Sequence, residues 1–215
     1  MIKQYGIGNA QTQGKCGIQS NYFSIADNSA GELFAVLADG TVDHKNGRRA
    51  AIIAVEYCVR EFARNSPATV KADEFMRDTA FQANKQIEDL IYADKIPRVS
   101  LTMAWLTGSE LKYFNVGANR LYLYNGRNEL NIGSDLNNLY AAGRYELPPK
   151  TTVGIFSAGV YTDIQPIERI NIIADEKKFF RKNIFDKAQN LVEYIQKKGL
   201  KNQKNITALL IEVEK

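Results

Sequence analysis

The chain is poor in the residues that most often announce chemistry. Its 215 residues contain one histidine, His44, and two cysteines, Cys16 and Cys58. Two cysteines are too few for a disulfide scaffold, and their separation is not a metal-binding spacing, so a reduced, cytoplasmic setting is expected. A Ser-His-Asp set can be written on paper from Ser20 or Ser157 with His44 and Asp43. No nucleophile-elbow spacing accompanies it, and His44 reads as a loop residue. Neither a Gly-x-Gly-x-x-Gly fingerprint nor a P-loop occurs, which leaves nucleotide binding without a motif. No apolar run nears the roughly 20 residues of a membrane span. The opening Met-Ile-Lys-Gln-Tyr-Gly lacks the apolar stretch of a signal peptide. Charge is nearly balanced, 28 Lys and Arg against 24 Asp and Glu for a formal +4, and no basic run interleaves with aromatics. Neither a membrane nor a nucleic acid is an expected partner. The lysines gathered between Lys177 and Lys204 read as the wetted face of a helix.

What is present is the composition of an ordinary soluble domain, 45% hydrophobic and 24% charged. That suffices for one sizeable core, so a single domain over 1–215 is expected. The organising stretch is Leu33 to Gly47, LFAVLADGTVDHKNG. Its apolar start predicts a strand over 33–38 that breaks at Asp39-Gly40, and Asn46-Gly47 closes the loop before a helical pattern. Asn21 to Ile25 reads as a strand, paired with 33–38 through the turn from Asp27 to Gly31. Apolar residues at helical spacing predict helices over 48–63 and 72–92, laid antiparallel on one face of a sheet, with Asn65-Ser66-Pro67 as the stop between them. Strands follow over 99–106, 110–116 and 120–124, the last ending at an Asn125-Gly126 hairpin turn. A compact loop over 136–150 with Pro148-Pro149 is next. Apolar residues at helical spacing then predict a long helix over 176–198 with Gly199 as its cap.

A carboxylate at a strand end beside an unhindered glycine suits a hard divalent cation. From here the chain resembles the metal-dependent PP2C (PPM) Ser/Thr protein phosphatases, whose mark is an apolar strand into Asp-Gly-Met-Gly-Gly-His and then a helix-opening Gly. Asp39, Gly40, His44 and Gly47 fit, whereas Thr41, Val42 and Asp43 depart. The segment Asn115-Val116-Gly117-Ala118-Asn119-Arg120-Leu121-Tyr122-Leu123 is similar to the family's Asn-Val-Gly-Asp-Ser-Arg-x-Tyr-Leu. Ile155-Phe156-Ser157-Ala158-Gly159-Val160 resembles its strand into Ser-Asp-Gly-Leu, and Thr162-Asp163 trails it as the family's Thr-Asp does. Lys204-Asn205-Ile206-Thr207 resembles the terminal Asp-Asn-Ile-Thr, and Lys15 to Ser20 the early Arg-x-x-(Asn)-Gln-Asp. Ile132 to Asp135 echoes the strand into Thr-x-Asp-His-Ser, without the His and Ser.

The resemblance covers the whole chain in family order. It implies an α+β, four-layer αββα sandwich of two antiparallel sheets flanked by antiparallel helices, with a shortened flap region over 136–150. It also implies where the chemistry would lie. The family's five metal-binding aspartates fall on Ser20, Asp39, Ala118, Ala158 and Lys204, with Gly40 beside Asp39, and its phosphate-binding Arg falls on Lys15. Four carboxylates are missing, and one position has become cationic. Two Mg²⁺ or Mn²⁺ ions that activate a bridging water need several charged oxygens. No catalytic residues, no metal and no cofactor are therefore expected. Lys204 either fills the vacated space and pairs with Asp39 or points to solvent. The function this implies is that of an inactive phosphatase-like module that binds a protein, such as a phosphoprotein or kinase-linked regulator. The rival is a divergent phosphatase with weak residual activity, for which Mg²⁺ or Mn²⁺ would be the cofactor.

Overall fold

The computed structural model describes residues 5–41, 45–65, 71–91, 95–133, 139–174 and 183–213. Asp43 and His44, and the expectations at Ser66, Pro67, Tyr92, Asp135, Glu176 and Phe180, lie outside these residues. The described elements are β1 (Tyr5–Thr12), β2 (Asn21–Asp27), β3 (Leu33–Gly40), α1 (Gly47–Arg64), α2 (Ala72–Leu90), β4 (Val99–Thr107), β5 (Glu110–Val116) and β6 (Arg120–Asn125). They continue with β7 (Asn128–Asn131), β8 (Tyr140–Glu146), β9 (Thr152–Phe156), α3 (Ala158–Tyr161), α4 (Pro166–Ile173), α5 (Ile184–Lys197) and β10 (Ile206–Val213).

The strands form two five-stranded sheets, one in the order β1-β10-β9-β6-β7 and the other β2-β3-β4-β5-β8, and all their pairings are antiparallel. Period-two alternation explains how they stack. In β3, Leu33, Ala35 and Leu37 meet Leu121, Leu123, Val153, Ile155, Leu209 and Ile211 of the other sheet. The intervening Phe34, Val36 and Ala38 face outward, under Ala51, Val55 and Phe62 of α1 and Met76 and Ile87 of α2. Both faces of β3 are thus buried, which is why it reads as an unbroken apolar run. Tyr124, Phe156, Ala208 and Leu210 likewise turn away from the inter-sheet core, toward Ala188, Leu191 and Ile195 of α5. The chain is the four-layer αββα sandwich its motifs implied, with an apolar layer between each pair of neighbours.

The helical layer over β3 is anchored by aromatics. Phe34 stacks on Phe62 at 4.7 Å between ring centroids, and Trp105 meets Phe62 and Phe75 edge-on at 5.3 and 5.4 Å. Such pairs contribute roughly 0.5–1.5 kcal/mol each beyond burial of their area. Cys58 sits in the same layer, and burial pushes its thiol up to about 12, so it behaves as a core apolar group.

Three expectations need correction. The 136–150 segment is not only a loop, because residues 140–146 form β8 and extend the sheet beyond β5. Ile132 and Gly133, which the resemblance places in a strand, follow the strand β7, which the tight turn at Asn125-Gly126 brings directly beside β6, and residues 134–135 lie outside the described ones. The long helix is described from Ile184, capped by Asn183, whose side chain accepts from the amide of Asp186, and α4 precedes it as a separate helix. The strand β1, for which the sequence predicts no element, pairs along its length with β10, in the opposite sheet from β2.

Candidate functional site

The described positions on which the family's metal ligands fall sit at one end of the sandwich. Asp39 and Gly40 close β3, Ala118 lies between β5 and β6, Ala158 follows β9, and Lys204 precedes β10. These five line one cleft of about 460 Å³, together with Cys16, Thr41, Arg98, Ser100, Leu139 and Asn205. Ser20 reaches the same place from the β1–β2 loop. Lys15, in that loop, is exposed, and its amide donates to Gln203 O at 2.7 Å.

The glycines of the Asp-Gly stretch have a packing explanation. A Cβ on Gly40 would lie 2.0 Å from Gly47 O, and one on Gly47 would lie 2.1 Å from Thr41 O. The end of β3 and the start of α1 approach backbone to backbone, which only glycine permits. This fixes Asp39 at the cleft floor, paired across the sheet with Asn21 of β2 and Ser100 of β4.

Asp39 is largely buried, and burial pushes its carboxyl up to about 6 from the usual carboxylate range. The Ser20 hydroxyl, which donates to Asp39 Oδ1 at 3.3 Å, and the charge of Lys204 pull the other way without overcoming it. Among the described residues Asp39 makes no ion pair within 4 Å, so Lys204 shares the cleft with it rather than clasping it. The ammonium stays exposed. Neither alternative foreseen for Lys204 holds in full: it acts on Asp39 through space from the solvent side.

Beneath the cleft the two sheets are joined by neutral hydrogen bonds. Asn205 Nδ2 donates to Ile18 O at 2.7 Å and to Ser20 Oγ at 3.1 Å, while its Oδ1 accepts from the Gly14 amide. Ser157 Oγ donates to Asn205 O and accepts from the Thr207 amide, and Asn21 Nδ2 donates to Thr207 Oγ1 at 2.9 Å. On the opposite wall Ser100 Oγ accepts from the Ala118 amide, and Tyr161 donates to Ala118 O. Arg48 Nη1 ties the start of α1 to this network through Gln19 O and Asn21 O, at 2.9 and 2.8 Å.

The donor set can be weighed against what a hard divalent cation needs. Among the described lining residues Asp39 is the one carboxylate, and Arg98 and Lys204 are cationic. Among the described residues no three His, Cys, Asp or Glu side chains gather as a metal would require. One hydroxyl-bonded carboxylate in a cleft lined by two positive side chains is a poor host for Mg²⁺ or Mn²⁺. Arg98, Ser100 and Leu139 were not foreseen. Arg98 merely precedes an apolar strand, and nothing in its spacing marks it, whereas Asn205 lies inside the Asn-Ile-Thr match that precedes the last strand.

No protein-family profile matches the chain, and no curated protein sequence does. Solved structures do. The serine/threonine phosphatase of S. agalactiae superposes with a TM-score of 0.81 at 17% identity over 98% of this chain and 100% of that one. Stp1 of Staphylococcus aureus gives 0.82 at 16% identity, covering 97% and 95%. The Mycobacterium tuberculosis phosphatase PstP gives 0.79 at 13% identity, with 100% of both chains covered. A PstP catalytic domain has also been solved in complex with two manganese ions. The chain therefore has the fold of the bacterial PP2C-type serine/threonine phosphatases.

Proposed function

We propose that this protein is a catalytically inactive member of the phosphatase fold that acts as a protein-binding or regulatory module. The observation that carries the reading is the makeup of the cleft. At the end of the sandwich where the resembled family keeps five aspartates, this chain has Ser20, Asp39, Ala118, Ala158 and Lys204. Lowering the pKa of a bridging water requires two bound cations and hence several anionic oxygens. Here the surviving carboxylate is hydrogen-bonded by Ser20 and faces positive charge, a setting that repels cations.

A fold kept whole while its catalytic groups are replaced retains a shaped surface, and binding is what such a surface can still do. The test is hydrolysis of a phosphomonoester such as p-nitrophenyl phosphate with millimolar Mn²⁺. The expected rate is background. A rate well above background that Asp39→Ala abolishes would establish the rival reading, a divergent phosphatase served by its last carboxylate.

A further inference from the structure

The cleft combines two features that together select a ligand, and the inference from them rests on the non-catalytic reading above. The first is charge. Arg98 and Lys204 line the cleft and are exposed, and Lys15 projects from the loop that forms its rim beside Cys16. Among the described residues none of the three makes an ion pair. Asp39, their one acidic counterpart on the lining, is mostly buried and turned to Ser20. Among the described residues, the face offered to solvent is therefore cationic.

The second feature is an apolar rim. Leu139 lines the cleft and is 53% exposed, and its carbonyl accepts from the Gly117 amide at 2.7 Å, which fixes it beside Ala118. Tyr140 follows, 50% exposed, with its ring held edge-on against Phe114 at 5.6 Å. Val116, paired across the strands with Tyr140, and Ile18 in the β1–β2 loop are exposed as well. Exposed apolar side chains held in place at the mouth of a cleft mark a protein-recognition surface.

We propose that the cleft binds an acidic segment of a partner protein, with an Asp or Glu carboxylate entering toward Arg98 and Lys204 and an apolar neighbour covering Leu139 and Tyr140. The polarity is the reverse of a metal site: cationic side chains receive a carboxylate where carboxylates would receive cations. Guanidinium and ammonium donors make charge-assisted hydrogen bonds to such a group, and Arg98 can make two in parallel. The apolar rim adds contact area and selects against isolated anions, which lack anything to place there.

The experiment uses the full chain and three fluorescein-labelled decapeptides of one sequence, with Leu and Phe flanking a central Glu, Gln or phosphoserine, read by fluorescence anisotropy. The Glu peptide is expected to bind at least tenfold more tightly than the Gln peptide. Arg98→Glu and Lys204→Glu should each weaken the Glu peptide about tenfold, and Leu139→Ser should weaken all peptides equally. Both cations are exposed, so circular dichroism should show these variants folded. A further check is reversal: the double variant Arg98→Glu, Lys204→Glu should prefer a peptide with a central Lys. Equal binding of the Glu and Gln peptides would overturn the inference, and so would insensitivity to both charge changes. A phosphoserine peptide that binds tenfold more tightly than the Glu peptide would also overturn it, replacing carboxylate by phosphate as the ligand. The hydrolysis assay reports separately on the reading beneath, since activity there would remove the non-catalytic premise, whereas equal peptide binding with background hydrolysis removes only this inference.

Discussion

Two acidic side chains drawn into this molecule are treated in opposite ways. Glu129, on β7 beneath α4, is 9% exposed and meets the Arg169 guanidinium in two parallel hydrogen bonds at 2.6 and 3.0 Å. Tyr124 donates to it at 2.7 Å, and Arg169, 3% exposed, also donates to Ile164 O and lies over the Tyr122 ring at 5.0 Å. Every charge in that corner has a close partner. Asp39, at the cleft, has one hydroxyl at 3.3 Å and a cation acting from a distance. The corner holds α4 to the sheet and is finished. Among the described residues the cleft keeps its cations exposed and its carboxylate with a single hydroxyl partner.

The contrast can be broken at each side, and the effects should differ in size and sign. The largest is expected from Arg169→Met. It leaves Glu129 buried without a counter-charge, and breaking such a pair typically destabilises by about 3–5 kcal/mol. Urea unfolding at pH 7 measures it, and a loss below about 1 kcal/mol would show that Glu129 reaches water. Next is Asp39→Asn, with the opposite sign. A carboxyl raised to about 6 in the folded state from 3.8 means that the native state binds the extra proton, so stability falls as pH rises from about 4 to 6 and is flat above. At about 1.4 kcal/mol per unit, the ionised group costs on the order of 3 kcal/mol at pH 7. Asp39→Asn should therefore stabilise at pH 7, by up to about that amount, and change little at pH 3.5. Equal effects at both pH values would contradict the assignment. The smallest change is expected from Lys204→Met, within about 1 kcal/mol, because an exposed charge acting through space is worth little to stability. The same residue should matter far more to acidic-peptide binding, and that split between stability and binding sharpens the comparison.

Much of this architecture was legible because its central strands are buried on both faces. Leu33 to Ala38 and Leu101 to Leu106 read as apolar runs for that reason, and α1 and α2 kept clean helical stripes. What escaped notice sits at edges. The strand β1 shows glycine and alanine where apolar side chains would signal a buried face. The reason is close packing, since a Cβ on Gly8 would lie 2.2 Å from Ile184 O of α5. Mostly exposed, β8 lacks the alternation that a half-buried strand shows. The helix α4 is short, and its readable mark was local: Pro166 opens it, and Gln165 with Glu168 forms a capping box. At the site, the motif frame located the cleft positions, but the groups that now stabilise the cleft floor were not deducible. Which of Ser20, Ser157, Asn205 and Thr207 bond one another depends on how the β1–β2 loop meets the start of β10, and no spacing in the sequence encodes that meeting.

The central claim, that this cleft has exchanged cation binding for a hydrogen-bonded floor and an outward positive face, is met most directly by calorimetric titration of Mn²⁺ into the purified protein at pH 7. No heat of specific binding is expected up to millimolar Mn²⁺, and the same null titration is expected for Asp39→Asn. Two-site binding in the micromolar range, lost in Asp39→Asn, would contradict it.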